Sequence, residues 1–328
     1  MEPERFRSMR LAELRSFLLR VAVMMALVVA GYLAILVAPT AKNSYLSAVI
    51  DKQARLASLG SPKLVFVGGS NLSFALDSAR IERELGMPVV NMGLGIYAGL
   101  RFMLYSVLPR LGEGDVVVVS PEYQLFRGLY NGEEELLEAL EAFPQGISTI
   151  GSVGQWLGVV RALPTYIKNK ANRMLAQLVQ DPDPKCVYCR RAFNPYGDLM
   201  AHAGLPATDV AAMPMFRSKS EQGPVDMEAV AGLREFVQKA SQRGARVVIL
   251  FPAVPDAHLE KNLDVMEKVH QAIRDNVAAP VLATPSESTM PVDLFWDWVY
   301  HLKIEGRERR TGFIIERLRP VIAGAAPR

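Results

Sequence analysis

Histidine and cysteine are both scarce in this chain. Four histidines and two cysteines in 328 residues leave few places for any chemistry that needs an imidazole or a thiolate. Charge of one sign is lacking too: 37 basic residues face 34 acidic ones, a net of +3. A balance that small gives no electrostatic case for nucleic acid, and there is no basic stripe interleaved with aromatics. No internal repeat is evident. What is present is a chain half hydrophobic and 22% charged, enough for one large domain or two small ones with a proper core.

One long uncharged run stands out, VAVMMALVVAGYLAILVA from Val21 to Ala38. Its roughly 18 residues are close to the minimum for crossing a bilayer. Residues 1–20 carry Arg5, Arg7, Arg10, Arg15 and Arg20 against three glutamates, and Pro39 closes the run. A cleaved signal peptide has a shorter apolar region, about 7–15 residues, and a small-x-small exit; LVAPTAK is a poor one. A buried soluble helix fits no better, since the segment is apolar all round and nothing in the sequence pairs with it. The expectation is a cytoplasmic basic segment (1–20), a transmembrane signal anchor (21–38) and a linker or helix (39–62). Arginines ahead of the span put the N-terminus in the cytoplasm. The rest then lies outside the inner (plasma) membrane, in the periplasm of a Gram-negative cell.

From Lys63 short apolar runs alternate with amphipathic ones. KLVFV (63–67), PVVNM (88–92), DVVVVS (115–120), RVVILFP (246–252) and APVLAT (279–284) read as five strands. Continuous Val/Ile/Leu runs suit strands covered on both faces. Between them DSARIEREL (77–85), YAGLRFMLYSVLPRL (97–111), MEAVAGLREFVQKASQRG (227–244) and HLEKNLDVMEKVHQAIRDN (258–276) read as helices, with a last helix over about 305–323. Gly244 is placed as a C-cap. The fold class is therefore α/β, a three-layer α/β/α sandwich around a five-stranded parallel sheet, occupying 63–325. The rhythm breaks at about 121–225, read as an insertion capping the carboxyl end of the sheet.

Ligands of open α/β sheets bind beyond the carboxyl ends of the strands, and there the first strand delivers Gly68, Gly69 and Ser70. The glycines allow a tight turn, and a helix starting nearby would aim N–H groups at an anion. A plain turn serine satisfies the same pattern. A nucleophilic serine needs a base. His258 and His270 sit on an amphipathic helix as surface or packing residues. His301 lies just past the last strand in FWDWVYHLKIEGRERRT, with Asp293 and Asp297 before it. Either acid could orient its imidazole. The G-x-S-x-G turn of conventional α/β-hydrolases is absent, because Leu72 stands where its second glycine would.

At these residues the chain resembles the SGNH, or GDSL-like, hydrolase superfamily, over roughly 63–120 and 245–325. GGSNLSFALDS is similar to the family's first block, NMGLG to its second and DWVYHL to its last. The resemblance implies Ser70 as nucleophile, His301 as base, Asp297 as its acid with Asp293 in reserve, and Gly93 as an oxyanion-hole amide. Two departures are visible. The third block, VVVVSPEYQLF, carries Glu122 and Tyr123 and no asparagine, which leaves Asn71 as the nearest substitute donor. Asp297 lies four residues before His301, where the family's acid lies three before. Together with the N-terminal anchor, this variant pattern resembles the membrane-anchored branch found in cell-envelope polysaccharide systems, similar to alginate acetylation proteins and the D-alanyl transfer protein of teichoic acid operons. The resemblance implies an acyl esterase or acyltransferase acting through an acyl-serine, without cofactor or metal. Its partners would be a polysaccharide or acylated glycan and, in the membrane, an acyl-transfer or polysaccharide export component. The same resemblance also admits a catalytically weak scaffold or glycan-binding subunit.

Other signals are local. Cys186 and Cys189 form a lone C-x-x-C whose expected state outside the membrane is a disulfide; a zinc site with His202 or Asp198 lacks four obvious ligands. His202, near Asn194 and Asp198, either lines a substrate cleft or is ordinary loop polarity. Trp296, Trp298 and Tyr300 flank His301, as sugar-stacking faces or as core. Glu122 and Tyr123 are site polar groups or the start of a helix.

Overall fold

A computed structural model of the chain describes residues 2–38, 43–179, 185–213, 216 and 223–324. They fall into two compact units. The first joins the N-terminal segment to residues 164–182 and the second holds the remainder.

In the first unit, helix α1 runs unbroken over Glu2–Val37. The basic segment is thus the first turns of the same helix that carries the apolar run, and Glu13–Val37 is long and apolar enough to cross a membrane. Pro39 lies outside the described residues. The Lys170 Nζ donates to the Leu36 carbonyl at 2.9 Å.

The second unit is built on four parallel strands, β1 (Leu64–Gly68), β2 (Val89–Asn91), β3 (Val116–Ser120) and β4 (Arg246–Ile249), in the order β2-β1-β3-β4. Their valine-rich sequences alternate between two buried faces. Val65, Val67, Val117, Val119 and Val247 pack on helices α5 (Leu100–Val107), α8 (Met227–Gln242) and α9 (Asp256–Asn276). Leu64, Phe66, Val116, Val118 and Val248 pack on α4 (Ser78–Leu85) and α10 (Ile304–Ala323). Burial on both sides is why these strands read as unbroken apolar runs.

The sheet has four strands rather than five. Residues 279–284 run beside β4 but pair at one point, Val281 with Ile249. Pro280 has no N–H to donate, so only its carbonyl, accepting from Ile249 N at 2.8 Å, and Leu282 N, donating to the Ile249 carbonyl at 2.8 Å, hold the segment. A separate two-stranded sheet, β5 (Val254–Pro255) with β6 (Thr289–Met290), forms instead.

Helix ends follow their capping residues. Asp77 accepts from Arg80 N at the start of α4, and Gly86 closes it at φ 67°. Gly244, expected as a C-cap, sits two residues past α8 at φ 80°. The expected insertion contains α6 (Glu134–Ala142) and α7 (Val153–Val179). Its later loop is stitched to β2: the buried Lys52 Nζ, on α2 (Val49–Ser58), donates to the carbonyls of Asn91 (3.0 Å) and Gly197 (2.5 Å). Asp198 accepts from Ser78 N, Ser78 Oγ and Asn91 Nδ2 at 3.0, 2.6 and 2.9 Å.

Candidate active site

Ser70 is the first residue of α3 (Ser70–Ala75), directly past β1. The glycines before it are there for space. Gly69 has φ −82°, an ordinary value, and neither Gly68 nor Gly93 takes a positive φ. A Cβ on Gly68 would lie 2.2 Å from the Ser120 carbonyl oxygen, and one on Gly69 2.4 Å from Glu122 Oε1. The expected tight-turn role is replaced by close approach of β1 to β3 and of the serine loop to a carboxylate.

His301 reaches Ser70 from the far end of the chain. Its Nε2 lies 2.8 Å from Ser70 Oγ and its Nδ1 2.7 Å from Asp297 Oδ1. The loop that carries both residues closes on itself. Phe295 bridges Leu302 antiparallel, Trp296 N donates to the His301 carbonyl at 2.8 Å, and His301 N to the Trp298 carbonyl at 3.1 Å. That closure sets Asp297 and His301 side by side despite the four-residue spacing. Asp293 is exposed and takes no part; its carbonyl accepts from Lys303 Nζ. The Phe74 ring stacks on the imidazole at 3.9 Å and 10°.

These residues open on a cavity of about 460 Å³ lined by three carboxylates (Glu122, Glu135, Asp297) and by Tyr45, Tyr97, Tyr188 and Trp298. Burial pushes the Tyr45 and Tyr188 phenols up, and nearby carboxylates push the same way: Glu122, Glu135 and Asp297 at Tyr45, Asp297 at Tyr188. Both therefore remain O–H donors. Tyr188 donates to Asp297 Oδ2, and its oxygen lies 3.2 Å from His301 Nδ1.

The oxyanion donors expected from the sequence are engaged elsewhere. Gly93 N donates to Asn91 Oδ1 at 2.9 Å. Asn71 turns its amide to β3, where Nδ2 donates to the Ser120 carbonyl (3.2 Å) and hydroxyl (3.0 Å). Glu122 does stand at the site: its Oε1 accepts from Asn71 N at 2.9 Å and lies 3.2 Å from Ser70 Oγ, farther than the 2.8 Å link from that oxygen to His301. Tyr123 does not, being buried in the core and stacked on Phe251 at 5.4 Å and 2°.

His202 is buried away from the serine, its Nε2 donating to the Leu302 carbonyl at 3.1 Å and its ring against Phe74 and Trp296. Burial pushes it down to about 4, so it stays neutral; it borders a second cavity with Leu205, Lys303 and Glu305. Trp296 and Tyr300 are buried in packing, leaving Trp298 as the tryptophan that faces the Ser70 cavity. His258 is a packing residue, fully buried. The expected disulfide between Cys186 and Cys189 is not formed; Cys189 Sγ donates to the Cys186 carbonyl at 3.0 Å. Among the described residues no group of three or more His, Cys, Asp or Glu side chains could hold a metal ion.

Sequence reasoning passed over Tyr188, Phe74, Tyr45 and Glu135. Tyr188 had one usable signal, an aromatic between two cysteines in a segment assigned to capping the sheet. No family model matches the chain, and no curated protein matches it.

Proposed function

We propose that the chain is a membrane-anchored acyl esterase or O-acyltransferase of SGNH type, acting on an extracytoplasmic polysaccharide through an acyl-serine. One observation supports it above the others: Ser70 Oγ, the His301 ring and the Asp297 carboxylate form an unbroken relay with links of 2.8 and 2.7 Å at the wall of an open cavity. An imidazole with its proton on Nδ1, facing Asp297, leaves Nε2 to take the serine proton. Ser70 Oγ then bonds to the acyl carbon, the C–O bond to the donor alcohol breaks, and His301 returns the proton to the leaving oxygen. Water attacking the acyl-serine completes an esterase cycle, and a sugar hydroxyl a transferase cycle. The Ser70 amide, at the first position of α3, is the candidate donor to the oxyanion. Tyr97 and Trp298, which line the cavity, are side chains of the kind that stack on a sugar. The apolar Glu13–Val37 would anchor the protein, with its arginine-rich start in the cytoplasm.

The full-length protein in detergent should release p-nitrophenol from p-nitrophenyl acetate, and Ser70→Ala should abolish the release. Equal rates for the two proteins would end this reading.

A second reading, an SGNH-shaped scaffold or glycan-binding subunit, is favoured by the engagement of Gly93 N and Asn71 Nδ2 in other hydrogen bonds. Glycan binding that survives Ser70→Ala, with no fluorophosphonate labelling of the wild type, would select it.

A further inference from the structure

We propose that Tyr188 is a positioning residue of the Ser70–His301–Asp297 relay, supplied by the insertion rather than by the sheet. The inference rests on the acyl-serine reading for its kinetic consequences, but its geometry stands alone. Both oxygens of Asp297 are committed, Oδ1 to His301 Nδ1 at 2.7 Å and Oδ2 to the Tyr188 hydroxyl. Two bonds fix the plane of a carboxylate that one would leave free to rotate. The phenol oxygen also lies 3.2 Å from His301 Nδ1. With its own proton given to Asp297, that oxygen can only accept there, so it favours the tautomer with the proton on Nδ1 and leaves Nε2 open to Ser70.

Simple packing does not account for Tyr188, which is 47% exposed. Its ring meets Tyr45, Phe74 and Trp296 at centroid distances of 5.9–6.4 Å, and it borders the cavity. The loop beneath it is held. Cys189 bridges Ser44, Arg190 pairs with Asp51 at 2.5 Å, and Cys189 Sγ ties back to the Cys186 carbonyl.

The hydroxyl acts on the imidazole chiefly through its short bond into Asp297, which outweighs the opposing and longer 3.2 Å contact at Nδ1. A hydrogen bond into Asp297 draws charge from the carboxylate and weakens its hold on the imidazolium. Removing that bond strengthens the hold, so the imidazole gives up its proton at higher pH. The other charged or titratable groups facing the relay are Glu122 beyond Ser70, Glu135 on α6, the phenols of Tyr45 and Tyr97, and the neutral His202 with Arg307 behind it. None of these is altered in Tyr188→Phe, so a difference from wild type isolates the hydroxyl.

The test follows the His301 ring by NMR across pH in full-length wild type and Tyr188→Phe, beside kcat and kcat/KM profiles on p-nitrophenyl acetate. The His301 midpoint and the acid limb of kcat/KM should move together to higher pH. kcat should fall about tenfold with KM nearly unchanged. A ring-fluorinated tyrosine at the same place, a stronger donor, should move the midpoint the other way. Superimposable His301 titrations in all three proteins would overturn the proposal. Absence of turnover and of fluorophosphonate labelling in the wild type would instead overturn the acyl-serine reading, and the NMR titration would still decide the place of Tyr188.

Discussion

Two adjacent glycines at the end of β1 permit a prediction in which stability and reactivity separate. A methyl group on Gly68 would sit 2.2 Å from the Ser120 carbonyl oxygen and 3.0 Å from Leu72 Cδ1. The oxygen belongs to the neighbouring strand, paired with Gly68 in register, so relief requires the carboxyl ends of β1 and β3 to part by about an ångström. Overpacking of this kind costs about 1–3 kcal/mol. Because a ladder rung is lost as well, Gly68→Ala should cost about 3 kcal/mol. At Gly69 the clashing atoms are Glu122 Oε1 at 2.4 Å, Glu122 Cδ at 2.8 Å and Ile96 Cγ2 at 2.8 Å. All are side-chain atoms that can yield, so Gly69→Ala should cost only about 1 kcal/mol. The yielding carboxylate is the one that accepts from Asn71 N and stands 3.2 Å from Ser70 Oγ. Its displacement disturbs the serine directly, and fluorophosphonate labelling should slow about tenfold despite the small loss of stability. Urea denaturation of the full-length proteins in detergent gives the first quantity and labelling kinetics the second. Gly68→Ala as stable as wild type, or the opposite ranking of the two variants, would refute close approach as the reason for these glycines.

Two further outcomes follow from the same geometry. Asp297→Asn should lower kcat on p-nitrophenyl acetate by about 10⁴, as loss of the orienting acid does in a serine triad, whereas Asp293→Asn, at an exposed site away from His301, should leave it unchanged. Burial pushes the Lys52 amine down to about 7, far below its value in an unfolded chain. Between those two values the unfolded chain holds a proton that the folded one lacks, so raising the pH favours the fold. Wild-type stability should therefore gain about 2–3 kcal/mol more than Lys52→Met between pH 7 and 9; parallel pH–stability curves would contradict the assignment.

Much of the framework was legible because it depends on composition along one segment. β1 and β3 are apolar runs buried on both faces, and no solvent-facing alternation blurs them. Ser70 and His301 could be paired from sequence because one follows β1 and the other follows a segment that lies beside β4, and a parallel sheet collects such positions at one edge. The expected fifth strand failed for a residue-level reason. Its apolar run is the right length, but Pro280 cannot donate at the point where pairing with β4 would extend.

What stayed illegible is competition for individual polar atoms. Gly93 N and Asn71 Nδ2 are plausible oxyanion donors in isolation, and each is claimed by a neighbour, Asn91 Oδ1 in one case and Ser120 in the other. Tyr188 was hidden in the opposite way: only its place between two cysteines marks it, and it acquires meaning because Ser44 and Asp51 hold its loop while Lys52 and Asp198 fasten the segment after it to β2. The insertion thus has a cause at each level. A buried lysine and a buried carboxylate hold the loop, the loop holds a phenol, and the phenol meets the one acid oxygen that the imidazole leaves open. If the sheet alone built this site, removing that phenol would leave turnover where it was; because the phenol is bonded to Asp297 Oδ2, its loss should lower turnover.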